Sequence, residues 1–192
     1  MAAVANAAGL VPSDNGLIFT PGNVEEIATI TRPSSIGGVL DHDGNVDVMS
    51  SEGVYVVAKA TNEYVAIVEY PWHPDPTGQS RELNIPIANA ALRGIATGSP
   101  VGFYGDVVAT LKKDLTAGEH LDGEGRYTVW GKLVSARSNV DRHLLPVALA
   151  HHVLLKNDVK KGDSVSWDDV VIDESLAQAL ELRRETETLV TN

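Results

Sequence analysis

Leu111-Lys112-Lys113-Asp114-Leu115-Thr116-Ala117-Gly118-Glu119-His120-Leu121 returns 44 residues later as Leu155-Lys156-Asn157-Asp158-Val159-Lys160-Lys161-Gly162-Asp163-Ser164-Val165. Both copies read Leu-Lys-x-Asp-(Leu/Val)-x-x-Gly-(acid)-x-(Leu/Val). Each is expected to leave a β run, turn at Asp, turn again at Gly and re-enter a strand, because Asp and Gly are the residues that make tight turns cheaply. Two strand-turn-strand units at one offset point to an internal pseudo-symmetry. Two copies are too few for a solenoid.

Working outward, the flanks of the repeat read as short strands: Gly105–Leu111, Tyr127–Val134, Val153–Lys156 and Asp163–Ser166. Leu145 to Ala150 reads as a short helical turn. His151-His152 follows it, and alternation along a strand predicts one ring pointing inward and the other out. From Asp173 as N-cap, a last helix is expected, with Glu174 and Arg183-Arg184 placed to suit its dipole. Its apolar residues, Leu176, Ala179, Leu180 and Leu189, make only a thin stripe.

The front half is less patterned. Ala2, Ala3, Ala5, Ala7 and Ala8 favour a helix that Gly9 ends. No capping residue precedes it, so the chain is expected to have something upstream. Val11 to Gly16 is a loop. Asn23 and Glu26 are spaced like a capping box before Ile27 and Ile30, and Pro33 stops that helix. Asp43-Gly44 predicts a hairpin between Val39-Leu40 and Val46–Val48. A second hairpin is expected over Gly53–Tyr70, a Pro-rich loop over Pro71–Gly78, and a helix from Pro86 to Leu92 ended by Gly94.

Bulk properties narrow the function. The 192 residues carry a net charge of −11. That argues against nucleic acid and anionic membranes as partners, since phosphate affinity comes mainly from Lys and Arg. There is no Cys, which removes thiolate metal sites and Cys nucleophiles and leaves the cytoplasm as the default compartment. No apolar run approaches the ~18 residues of a membrane span.

Chemistry-bearing clusters are few. Asp41-His42-Asp43 and His73-Pro74-Asp75 hold metal-ligating residue types, but at no metal-site spacing, and read as surface turns. Gly123-Glu124-Gly125-Arg126-Tyr127-Thr128-Val129-Trp130-Gly131-Lys132 is richer. Arg126 and Lys132 can meet a carboxylate or phosphate, and Tyr127 can donate a proton or stack. These three are the candidate substrate-binding residues. The competing reading is a Gly-flanked strand that packs its aromatics. No phosphate loop, dinucleotide glycine fingerprint or nucleophile elbow is present. No catalytic, metal or cofactor-binding residue is assigned.

The doubled phrase, with Tyr127 to Leu133 between its copies and Trp167-Asp168-Asp169-Val170 after the second, resembles a SAF domain. This β-clip module occurs in sialic acid synthases, sugar-acid dehydratases and type III antifreeze proteins. Gly102 to Thr110, Asp114 to Gly125 and Leu145-Pro146-Val147-Ala148-Leu149-Ala150-His151 are similar to one subgroup. It comprises the homoserine-dehydrogenase-like NAD(P)-dependent oxidoreductases with a C-terminal SAF domain, including the deoxyxylulose-phosphate-reductoisomerase-like enzymes. Val4 to Pro12, Val24 to Ile27, Gly53–Ala58 and Ala88–Gly94 follow in that family's order.

The resemblance implies an α+β chain. Residues 1–100 would be a small α/β substrate-side and oligomerisation region, 101–173 a SAF-like β-clip module, and 174–192 a C-terminal helix or tail. It also implies NAD(P) for the full-length family, with none bound by this chain alone, because the Rossmann half does not precede Met1 here. Where the family has an aromatic-His segment, this chain reads Pro76 to Glu82, so that part of the pocket departs from the pattern. The expected function is the non-nucleotide-binding part of such an oxidoreductase, partnered by its own copies or by a Rossmann-containing subunit. The alternatives are a free-standing binding module for a sugar acid or polyol phosphate, and a structural oligomerisation module.

Overall fold

The structure is a computed structural model that describes residues 1–23, 26–49, 90–94, 99–173 and 176–190. The hairpin expected over 53–70, the loop over 71–78 with its His73-Pro74-Asp75 cluster, and most of the helix from Pro86 lie outside the described residues. The chain is α+β, with small sheets and a C-terminal helix. It divides into two compact units: Met1–Ile18 with Gly44–Asp47 and Pro100–Asn192, and Phe19–Asp43 with Val48–Ser99.

The doubled phrase builds the larger unit. Strand β1 (Gly105–Leu111) enters the first copy and β2 (His120–Asp122) leaves it. Strand β4 (His151–Leu155) enters the second. The two copies face each other, and each hydrogen bond has its counterpart. Leu115 and Val159 exchange both backbone bonds, N–H to O=C at 3.0 and 2.9 Å. Gly118 N–H donates to the Leu155 carbonyl at 2.8 Å, and Gly162 N–H to the Leu111 carbonyl at 2.9 Å. Leu155 N–H donates to Glu119 O and Leu111 N–H to Asp163 O. Asp158 Oδ1 accepts from Ala117 N–H at 2.8 Å, and Asp114 Oδ1 from Lys161 N–H at 2.8 Å. Thus the Asp of each copy caps the turn of the other. Gly118 and Gly162 have φ of 91° and 89°, a left-handed conformation that explains why Gly recurs at this position.

The core obeys the same symmetry. Leu111 with Leu155, Leu115 with Val159, Leu121 with Val165, and Ala109 with Val153 are equivalent pairs, all buried in one cluster. Strand β3 (Val129–Ser135) pairs antiparallel with β1, Leu111 opposite Val129. Strand β5 (Val170–Val171) pairs antiparallel with β4, Leu155 opposite Val170. Lys112 N–H reaches Thr128 O and Lys156 N–H reaches Asp169 O, each at 2.9 Å.

Helix α1 (Ala2–Ala8) ends at left-handed Gly9, as its sequence predicts. It is pinned through Asn6, whose Oδ1 accepts from the N–H groups of Tyr104 (2.8 Å) and Gly105 (2.9 Å), while Nδ2 donates to Gly105 O. Helix α3 (Ala136–Asp141), not anticipated from the sequence, starts where Ser135 Oγ accepts from Ser138 N–H. A 3-10 turn over Val147–Leu149 matches the expected helical turn. Helix α4 (Ala177–Glu187) follows a Leu176 N–H to Asp173 O bond, so the regular helix begins later than an N-cap at Asp173 implies.

In the smaller unit, α2 (Ile27–Ile30) starts after Asn23 N–H donates to Glu26 Oε2 at 3.1 Å, half of the expected capping box. Residues 90–93 form a helical turn closed by Gly94 N–H to Ala90 O.

Three expectations fail for physical reasons. The Asp43-Gly44 hairpin does not form. Val39 and Leu40 donate instead to Ile30 O and Arg32 O, and Asn45 bridges Val11. Asp163–Ser166 is not a strand, because Ser164 bridges Thr110 while Ser166 bridges Leu144, so no two rungs share a partner. β3 starts at Val129 rather than Tyr127, because the N–H groups of Tyr127 and Thr128 are taken by the Asp122 carboxylate.

The C-terminal helix docks through one arginine. Arg183 donates to Asp106 Oδ2 at 2.5 Å and to Glu187 Oε1 at 2.7 Å, and its guanidinium lies 5.1 Å from the Phe103 ring centroid. Asn139 Nδ2 donates to the same Asp106 oxygen. The Arg183 and Asp106 side chains are only 10% and 16% exposed. Removing one member of a buried pair leaves the other charge uncompensated. Arg183→Ala is therefore expected to cost about 3–5 kcal/mol in urea denaturation, with Arg183→Ala/Asp106→Ala costing less than the sum of the singles. Leu115→Ala, at the symmetry centre, is expected to cost about 2–5 kcal/mol by the same measurement.

Candidate functional site

The Gly123–Lys132 stretch does not form one site. Arg126 and Tyr127 sit in the loop between β2 and β3, while Lys132 lies farther along β3, opposite Val108. At ~3.3 Å per strand residue, Lys132 is about 10 Å beyond Val129.

The loop is closed by Asp122. Its carboxylate accepts from Tyr127 N–H (2.8 Å), Thr128 N–H (3.0 Å) and the Thr128 hydroxyl, while Thr128 Oγ1 in turn accepts from Asp122 N–H at 2.9 Å. Lys112 Nζ adds a bond to Arg126 O at 2.5 Å. Burial alone raises the Asp122 pKa, but the Thr128 hydroxyl and the two N–H donors outweigh it and hold the carboxyl below its ordinary value. Tyr127 is 86% exposed and Arg126 is exposed, so neither is enclosed by a pocket.

Against this loop stands a bulge. His120 pairs with Leu154 and Asp122 with His151, which leaves an extra residue on β4. His152 takes it up at φ 58°, a left-handed conformation that is uncommon away from Gly. The bulge upsets simple alternation: both His151 and His152 are exposed, contrary to the one-in, one-out expectation. The His151 ring lies against Gly123, where an added Cβ would meet Nδ1 at 2.1 Å. Among the described residues, no group of three or more His, Asp or Glu side chains is arranged to hold a metal.

Lys132 opens instead onto a shallow polar groove of about 540 Å³. Asn15, Lys132, Arg142, Asp158, Asp163 and Asp169 are among its lining residues. Sequence reasoning named only Lys132 of this set. Asn15 lies in a loop far before it in the chain, and Arg142 follows α3, which the sequence did not announce, so no local pattern joins them.

With this geometry in view, comparison with known proteins adds one finding. Residues 1–78 match the family model described as oxidoreductase DRL, catalytic domain. No curated protein matches the chain. The N-terminal region is therefore oxidoreductase-related, and it contributes α1 and the Val11–Asn15 segment to the larger unit. Among the described residues, no helix is long and apolar enough to cross a membrane.

The Asp122 clamp makes a pH prediction. Its pKa is depressed on folding from an unfolded value of ~3.9. The clamp thus contributes fully above that value and is lost as pH falls through the lower folded value. Amide NMR signals of Tyr127 and Thr128 are expected to hold steady from neutrality to about pH 4 and to shift below it. Asp122→Ala is expected to speed tryptic cleavage after Arg126 at neutral pH by several-fold, since the loop then opens locally.

Proposed function

We propose that this chain is the non-nucleotide-binding part of an NAD(P)-dependent oxidoreductase of the homoserine-dehydrogenase-like type. It supplies substrate-side and oligomerisation surface together with a SAF-type β-clip module, and it works in the cytoplasm. The match of residues 1–78 to an oxidoreductase catalytic domain carries this reading. The sequence holds no Gly-x-Gly-x-x-Gly, the fingerprint that seats a dinucleotide pyrophosphate on a helix N-terminus. Hydride transfer needs the nicotinamide held against the substrate. The nicotinamide is then held by a Rossmann domain outside these residues, the chain's other partners being its own copies, and the paired turns of residues 111–121 and 155–165 serve as its rigid frame.

Fluorescence titration of NADPH into the isolated chain tests the division of labour. No saturable binding is expected. A tight complex formed by this chain alone overturns the reading.

A further inference from the structure

We propose that Asn15 is a site of spontaneous covalent modification, where the main chain converts the asparagine to aspartate and isoaspartate and so alters the turn that leans on β3. This inference stands on that turn and does not depend on the oxidoreductase reading.

The reaction needs only a neighbouring residue, base and water. The backbone nitrogen of the following residue gives up its proton to base and attacks the side-chain Cγ. The new N–Cγ bond closes a five-membered succinimide. The Cγ–Nδ2 bond breaks, and that nitrogen leaves as ammonia. Water then adds to one of the two imide carbonyls. Opening at one gives an ordinary aspartate. Opening at the other routes the main chain through the side-chain carbon and gives isoaspartate. No electrons change hands. Attack is favoured when the amide side chain is unheld and exposed, and when the next residue has no side chain to crowd the ring.

Asn15-Gly16 is the one Asn-Gly pair of the sequence. Asn15 is exposed, and its N–H, not its side-chain amide, donates to Ser13 Oγ at 3.4 Å. Each of the other described asparagines fails a condition. Asn6 uses both ends of its amide on Tyr104 and Gly105. Asn139 is buried, with Nδ2 on Asp106. Asn157 Nδ2 donates to Asp168 O and to Asp169. The Asn45 amide is buried away from base and water. Asn23 is exposed, but β-branched Val24 follows it.

The fold gates the attack. Gly16 N–H donates to Ser13 O at 3.2 Å, which occupies the nucleophile. That length is at the long end for N–H···O bonds, and the bond closes a turn rather than a strand ladder, so local opening frees it. The product does not fit the same turn. Asp14 accepts from the Ser135 hydroxyl, and Ser135 Oγ caps α3 through Ser138 N–H at 3.0 Å. Gly16 lies against β3, where an added Cβ would meet Lys132 Cε at 3.0 Å and Leu133 O at 3.4 Å. Isoaspartate adds a main-chain carbon between these two anchors, Asp14 and Gly16. One of them must shift, and the change reaches α3 through Ser135.

Fragmentation mass spectrometry of the full chain, aged at mildly alkaline pH, tests this. Aspartate and isoaspartate are expected at Asn15 at least tenfold faster than at any other described asparagine. Urea is expected to speed the conversion several-fold by removing the Ser13–Gly16 bond. In urea, where folding plays no part, Gly16→Ala is expected to slow it by tenfold or more. The isoaspartyl form, separated by chromatography, is expected to exchange the Ser138 amide hydrogen faster than fresh protein. Asn15→Asp, which adds the charge without the main-chain carbon, is expected to leave that exchange unchanged. Persistence of Asn15 while another described asparagine converts, a rate no faster in urea, no slowing by Gly16→Ala, or Ser138 exchange unchanged in the isoaspartyl form or equally raised in Asn15→Asp overturns the proposal.

Discussion

The larger unit depends on one reciprocal contact, the two backbone hydrogen bonds exchanged by Leu115 and Val159. Each residue lies at the middle of its copy of the repeated phrase, and each buries its side chain in the common core. Each copy closes its Gly turn with one internal bond, Glu119 N–H to Thr116 O and Asp163 N–H to Lys160 O, and turns to the other copy for the rest. The Asp of one accepts from a backbone N–H of the other, and the Gly of one donates to the entering strand of the other. A turn that depends on its counterpart has little reason to be stable alone, because its buried backbone groups would go unpaired. The two copies are thus expected to order together, a coupling written into the sequence by the 44-residue offset.

That offset is why this part of the fold was legible. Turn residues recur at fixed positions, and their recurrence reports on tertiary pairing, which single turns do not. Strand β1 was read with its observed bounds because its apolar run is bracketed by Gly105 and the Asp114 turn. The errors arose where a side chain competes with the ladder. Asp122 captures the N–H groups that Tyr127 and Thr128 would have offered to a strand, and the bulge at His152 breaks the alternation of β4. Both effects depend on a carboxylate or a backbone angle that no periodicity encodes.

Arg183 shows the other limit. In sequence it is one of two arginines late in a charged helix, and its charge suits the helix dipole. In the structure it is the anchor of that helix, and its partner Asp106 lies 77 residues away. A buried ion pair is weak evidence for net stability, because desolvation opposes the attraction. What it fixes is placement: a guanidinium against one aspartate oxygen, itself held by Asn139, and over one aromatic ring admits few dockings of α4. A thin apolar stripe alone would leave the helix free to roll.

The groove lies where the pseudo-symmetry ends. Strand β3 follows β1 for seven residues, but its counterpart β5 follows β4 for only two. From Val129, opposite Leu111, three residues lead to Lys132. From Val170, opposite Leu155, three residues lead to Asp173, beyond the end of β5. The repeat therefore builds two equivalent turns but only one long β3-type edge, and that edge carries the half-buried lysine. The elements that complete the groove also lack a second copy. Asn15 comes from the oxidoreductase-related N-terminal region, and Arg142 follows α3, which is inserted between the two halves. A symmetric core supplies rigidity twice over. The asymmetric edge comes from residues outside the two copies, Asn15 before the first and Lys132 and Arg142 between them.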